Sequence, residues 1–320
     1  MGLFSIMYDD LPLEKVLPHI SSMGYEAVEL ATWMGTRHLV LDNVLNGEAQ
    51  QLKNLVSKHG ITISALNNSL DSQLVLGPYD ESTDPIYKGS AAEKEKFGTS
   101  QVKKTVDAAR LLDVPVVNGF IGCPNWGAWY PFPPLNAKIF ESFFATFAER
   151  WNPILDYFRD SGIKFAHEPH PQELAYNIET ASEAAKAVDG RKEFGFNFDP
   201  SHILWQQIDP VLFIKQFGDR IFHFHLKDAE LVEENLRYSG ATPHGSPFRS
   251  TRGFRFRVPG WGQVPWRRII TALSEVGYDY VLSYEHEDPV MSQDDGAEKA
   301  IAYIKPLLIK KKLEKIWYQV

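Results

Sequence analysis

Eight short apolar runs alternate with stretches of helical periodicity from one end of this chain to the other. No other feature constrains the fold as much. A strand–helix–strand unit makes its two strands parallel and lays the helix across the sheet, so strict repetition implies a parallel sheet covered by helices. The runs are Leu3–Met7, Ala27–Leu30, Ile61–Leu66, Val114–Ile121, Lys164–His167, Phe194–Phe198, Ile221–Leu226 and Tyr280–Tyr284. Helical patterns fall at Pro12–Met23, Glu48–His59, Glu93–Asp113, Asn136–Asp160, Glu179–Val188, Pro210–Phe217, Val264–Val276 and Gly296–Leu308. Gly24, Gly60 and Gly162 supply stop signals.

Eight units without a domain-like linker predict a closed (β/α)8 barrel, one domain over residues 1–320, rather than an open doubly wound sheet. The 320 residues exceed the ~250 typical of such a barrel. The surplus falls in long βα loops after strands three, four and seven, the last being Ala229–Gly262.

Composition removes other classes. The chain is 44% hydrophobic and 23% charged, which is globular. A formal charge of −8 argues against a nucleic-acid partner, which demands a basic footprint. No apolar run reaches the ~18 residues of a membrane span, and the start MGLFSIMYDD has no basic n-region. A cytoplasmic protein without a membrane partner is expected. Cys123 is the single cysteine, so neither an internal disulfide nor a Cys-based zinc site is expected. No G-x-G-x-x-G follows the first strand and no P-loop occurs. Lys310-Lys311-Lys312 reads as a solvated helix face.

In a (β/α)8 barrel the chemistry gathers where strands end at their C-terminal side. Strand five ends His167-Glu168-Pro169-His170, and strand six ends in Asp199-Pro200-Ser201-His202. Strand seven carries His223 and His225 and runs into Lys227-Asp228. Strand eight ends Glu285-His286-Glu287. Aiming this many acids into one cavity costs several kcal/mol unless something offsets their repulsion. A divalent cation is the simplest offset. The expected ligands are Glu168, Asp199, His225 and Glu285. Three oxygen donors with one imidazole suit Mn²⁺, the first choice here, then Mg²⁺ or Co²⁺, with Zn²⁺ also possible.

The constellation resembles the xylose isomerase-like barrel family over almost the whole chain. D-P-S-H at Asp199–His202, H-L-K-D at His225–Asp228, G-W-G-Q-V at Gly260–Val264 and Glu285 carry the resemblance. It implies the same four metal ligands, with His202 touching substrate or a second metal. Departures matter too. The ketose 3-epimerases of this family have an arginine where Leu231 stands and a glutamate where Leu174 stands, so their substrate recognition does not transfer. The histidines of the trinuclear endonuclease IV site are incomplete here.

The resemblance further implies a sugar isomerase or epimerase that removes a proton beside a carbonyl through an enediolate. Glu168 and Glu285 would be its two acid/base carboxylates. His202, His167, His170, Lys227 and Asp228 are expected near substrate. Trp126 is expected to stack on a sugar face, and Arg252 stands in an arginine-rich insertion that could hold an anionic group or form a lid. Two other readings stay open. One is a lyase on a 3-keto-sugar or glycoside, or an inosose-type dehydratase, using the same enolate. The other is a catalytically silent, metal-containing sugar-binding barrel. The partner is a small sugar, in a homo-oligomer, with a small partner subunit if the chain is a deglycosidase.

Overall fold

A computed structural model describes residues 1–136, 138–242, 244–246, 249–311 and 313. Ten strands are present among them: β1 (Gly2–Phe4), β2 (Ala27–Ala31), β3 (Thr62–Asn67), β4 (Val116–Gly119), β5 (Lys164–His167), β6 (Phe194–Phe198), β7 (Ile221–Leu226), β8 (Asp228–Leu231), β9 (Phe254–Arg257) and β10 (Leu282–Tyr284). Eight of them close a parallel barrel in the order β1-β10-β7-β6-β5-β4-β3-β2. Closure is seen at Gly2, which pairs with Ala27 on one side and Ser283 on the other. The expected (β/α)8 TIM barrel is therefore the observed architecture.

Helices cover the outside because their apolar faces need the sheet. Ala91–Leu112 starts at a Ser90/Glu93 capping box, and Ile139–Ser161 ends on Gly162 at φ +69°. Trp151 of the second helix is fully buried, with its ring 4.5 Å from Phe165 of β5. Strand residues with Phe165's parity face the helices, and those with Ala166's parity face the lumen.

The lumen is layered. Its floor is a small apolar cluster of Ala65, Val116, Ala166 and Phe222. Above it lies a polar layer. Asn118 on β4 is 3.1 Å from His223 on β7, and these strands are not neighbours, so the contact crosses the lumen.

The long loop after β7 differs from expectation. It folds back as an antiparallel hairpin, β8 against β9, around the helix Glu233–Ser239. The alternation Phe254-Arg255-Phe256-Arg257 explains this. In a strand, alternate side chains take opposite faces. Arg255 and Arg257 both pair with Glu230 across the hairpin, at 2.7 and 2.8 Å, and Arg257 also binds Asp288 at 2.9 Å. On the other face Phe254 stacks on Trp205 at 4.7 Å. Smaller differences occur at the first run, where the strand stops at Phe4 and Ser5–Tyr8 is a 3₁₀ turn. Lys310 and Lys311 lie beyond the last helix, and Lys312 lies outside the described residues.

Strand β6 also tests the packing. A Cβ added at Gly195 would lie 2.3 Å from the Arg220 carbonyl and 2.4 Å from the Phe222 ring. Backbone cannot yield cheaply there, so Gly195→Ala should lower stability by roughly 3 kcal/mol in denaturant unfolding. A change under about 0.5 kcal/mol, ordinary for a surface substitution, would contradict this packing.

Candidate metal centre and adjoining cavity

Asp199 follows β6 and caps the short helix Pro200–Leu204, accepting the Ser201 N–H at 2.8 Å through Oδ1. Proline at the first helical position and a capping aspartate are what such a helix start requires. The helix then places His202 three residues on, with Nε2 3.7 Å from Asp199 Oδ2 and 3.4 Å from Glu168 Oε1. Glu168 follows β5, and its backbone N–H reaches the Gly119 carbonyl of β4. His225 sits on β7 with Nδ1 3.1 Å from Glu285 Oε2 and 3.5 Å from Glu168 Oε2. One ligand atom from each of Glu168, Asp199, His225 and Glu285 lies within 4.8 Å of the others. Thus β5, β6, β7 and β10, consecutive in the barrel, each contribute one member.

Lys227 enters the same group. Its ammonium is 2.7 Å from Glu285, 3.0 Å from Asp199 and 3.2 Å from Glu287, and the residue is 1% exposed. The charge gathered here is unbalanced toward acid. Burial opposes every charge. At Glu168 the His225 charge, contacts from His202 and His225, and the Lys227 charge outweigh burial and hold the carboxyl well below its ordinary range. At Glu285 Lys227 and His225 outweigh it and hold the group down to about 2. At Asp199 burial, reinforced by repulsion from Glu168 and Glu285, exceeds the pull of Lys227 and pushes the group up to about 7. Burial drives His202 down to about 3, leaving its ring neutral.

This donor set fits a divalent ion. Three carboxylates and an imidazole converge, and Asp199 resists ionising because it is buried and stands beside two other acids. Among the described residues, the four could hold the ion together.

Several expectations need correction. His167 has the outward parity of Phe165; its Nε2 contacts the Ala175 carbonyl at 2.8 Å and its ring stacks over Phe194, so it serves the helix–sheet layer. Asp228 is saturated. It accepts from the backbone of Ala229, Gly260 and Val264 and from Trp266 Nε1, at 2.8–2.9 Å. A Cβ at Gly262 would lie 2.3 Å from Asp228 Oδ1. The H-L-K-D and G-W-G-Q-V motifs are therefore two halves of one loop anchor. The arginine cluster does not converge either, since Arg255 and Arg257 are spent on Glu230 and Asp288.

A cavity of about 480 Å³ adjoins the acids. None of the four candidate ligands lines it; His170, His202, Phe256 and Glu287 line the side toward them, and Trp126, Trp205, Phe254 and Arg252 are among the other lining residues. His170 meets His202 edge to face at 4.3 Å. The indole N–H groups of Trp126 and Trp205 are buried without hydrogen-bond partners among the described residues. Arg252 turns its guanidinium to the carbonyls of Gly245 and Ser246.

Glu29 on β2 escaped the sequence reading. It is fully buried, with Oε2 3.0 Å from His225 Nε2. Its signal was one acid inside the otherwise apolar run Ala27-Val28-Glu29-Leu30-Ala31. A buried carboxylate in a strand must face partners.

A family model for the xylose isomerase-like TIM barrel matches residues 17–307. The chain is 26% identical over 314 residues to the uncharacterized protein YfiH of Bacillus subtilis, covering 92% of this chain and 95% of YfiH. It is 29% identical over 171 residues to inosose dehydratase of Clostridium perfringens, spanning 52% of this chain and 55% of that enzyme. Among solved structures, the probable 3-DHS dehydratase AsbF of Bacillus anthracis superposes with TM-score 0.68 at 17% identity, covering 95% of this chain and 98% of AsbF. The 3-keto-D-glucoside 4-epimerase YcjR of E. coli gives 0.66 at 12% identity, covering 95% and 98%. The IOLI protein, crystallised with a zinc atom, gives 0.64 at 19% identity, covering 96% and 95%. At these identities the structural likenesses establish the fold.

Two outcomes are expected. Asp199 must ionise to hold a cation, and below pH 7 its carboxyl keeps a proton that the cation has to expel. Affinity for Mn²⁺, titrated across pH, should fall about tenfold per unit below pH 7. A flat profile from about pH 5 to 7 would show that Asp199 takes no part. Separately, Asp228→Ala strands buried N–H donors and should lower stability by about 3 kcal/mol. Unfolding at wild-type denaturant concentration would refute the anchor.

Proposed function

The chain belongs to the xylose isomerase-like TIM-barrel family, and from that premise we propose that it is a divalent-metal-dependent sugar isomerase or epimerase. The observation that carries this reading is the pairing of two carboxylates, Glu168 and Glu285, around His225 beside a ring-lined cavity. Glu168, Asp199, His225 and Glu285 would hold the cation, with Mn²⁺ the first candidate. When bound, the cation supplies Lewis acidity to a substrate carbonyl and its neighbouring hydroxyl and stabilises an enediolate.

The side chains supply the rest. Glu168 and Glu285 are both ionised at rest near neutral pH because of the charges around them, so either can take the proton from carbon; return comes from that carboxylate once protonated, or from the other after it has taken a proton from water. His202, neutral and without a hydrogen-bond partner at Nδ1 among the described residues, would bind a substrate hydroxyl. Lys227 pairs with Asp199 and Glu285 and would stabilise negative charge forming on substrate oxygen. Trp126 would offer an apolar ring to the sugar, while Trp205, Phe254, Arg252 and His170 border the cavity. The cavity volume falls within the ~300–1,000 Å³ usual for small-molecule sites, which supports a small sugar or sugar derivative as partner.

A lyase is the second reading. The same proton removal ends in elimination when a leaving group sits one carbon further on. The inosose dehydratase relative and the fold likeness to AsbF favour weighing it.

The test combines metal analysis with NMR in deuterated water over a panel of ketoses, inososes and 3-keto-glycosides. Deuterium entering carbon without bond cleavage supports the isomerase or epimerase. Release of water or an aglycone supports the lyase, and no exchange with any panel member overturns both. Glu168→Gln and Glu285→Gln should each lower turnover at least ~10³-fold while cation binding survives, weakened. Turnover retained in both variants with metal bound would sink the acid/base assignment.

A further inference from the structure

We propose that Glu29 is a positioning residue for the metal centre. Its carboxylate holds the Nε2–H of His225 and so turns Nδ1 toward Glu168 and Glu285. The inference rests on the reading of His225 as a ligand and adds the reason for its orientation.

An ionised carboxylate offers about four acceptor sites and no proton. Glu29 Oε1 accepts from Asn67 Nδ2 at 2.8 Å and from Asn118 Nδ2 at 2.7 Å. Oε2 accepts from Ser283 Oγ at 3.0 Å and lies 3.0 Å from His225 Nε2. Three sites are filled by side chains of β3, β4 and β10. The fourth faces an imidazole nitrogen, which must therefore be the donor.

At the opposite edge Nδ1 faces Glu285 and Glu168 at 3.1 and 3.5 Å, which fits the same orientation, and the other neighbours of the ring choose neither edge. Asn197 Nδ2 is 3.1 Å from Nε2 and 3.4 Å from Nδ1, so it lies over the ring and selects neither edge. Phe4 stacks on the ring at 5.9 Å and 23°. His223 does not compete for Glu29, because its Nδ1 is 3.9 Å away and is 3.0 Å from Asn197 Oδ1. The strand itself is adapted to the task. The β2–β3 register shifts between Val28 and Glu29, and such irregularities re-aim a side chain. A metal-bound histidine whose far N–H is held by a carboxylate keeps one ring orientation, and losing such a partner commonly weakens metal binding 10–100-fold.

Glu29, His223 and His225 also stand close enough to hold a cation of their own. The filled acceptor sites of Glu29 argue against that arrangement, and the experiment separates the two.

Full-length protein labelled with ¹⁵N-histidine is loaded with Zn²⁺ alone, and long-range ¹H–¹⁵N spectra report each ring nitrogen. His225 should show a protonated Nε2 and a metal-shifted Nδ1. In Glu29→Gln, Zn²⁺ affinity by chelator competition should fall 10–100-fold while the circular dichroism spectrum stays native. The wild-type spectra carry the test even where that variant fails to fold. Zinc on Nε2, an unprotonated Nε2, unchanged affinity in a folded Glu29→Gln, or two zinc ions per chain would each overturn the role of Glu29 alone. A wild-type chain that binds no Zn²⁺ would overturn this inference together with the metal-centre reading.

Discussion

Too many acids meet at one end of this barrel for the positive charge available, and much of the structure is arranged around that fact. Glu168, Asp199 and Glu285 converge in a place water hardly reaches, with Lys227 and His225 as the buried cations among them. In low dielectric, like charges this close cannot all ionise. Asp199 shows the strain, its carboxyl pushed up to about 7 by burial and then by the neighbouring acids. A divalent ion would relieve it. The acids are thus held against their own repulsion by the rigidity of four adjacent strands.

That rigidity comes from below and from outside. The apolar floor of the lumen fixes the strands, and the polar layer above it, from Glu29 through Asn118 to His223, ties non-adjacent strands together. Outside, the rings of Trp151 and Phe165 join helix to sheet. On the roof, Asp228 gathers the backbone of Gly260 and Val264, and the β8–β9 hairpin brings Phe254 and Phe256 over the cavity. Along β9 the side chains alternate: Arg255 and Arg257 pair with acids, and Phe254 and Phe256 line the cavity, with Arg255 at its edge.

Much of this was legible in the residues. Periodicity shows which segments are strands and helices because burying one face imposes a repeat of 2 or 3.6. The barrel followed from the number of units, and the four convergent ligand candidates followed from their places at strand ends. Other residues misled for specific reasons. His167 and Glu168 are adjacent in sequence but face opposite sides of β5, and only strand parity separates them. Asp228 looked like a substrate contact because its partners, Gly260, Val264 and Trp266, are more than thirty residues away. The arginines of the insertion looked like an anion site because the alternation that marks β9 is only four residues long.

By itself, then, the sequence determined the repeating architecture and the chemical identity of the strand-end acids and imidazoles, because local periodicity and residue type are properties of a segment. Partnership was decided only by the tertiary structure. Closing the barrel brings β2 and β7 within hydrogen-bonding reach across the lumen, 196 residues apart, so that Glu29 meets His225. No local pattern records that distance. Which acid is neutral, which histidine is structural and which aromatic rings line the cavity all depend on such contacts, since a group's charge and role are set by what surrounds it in space.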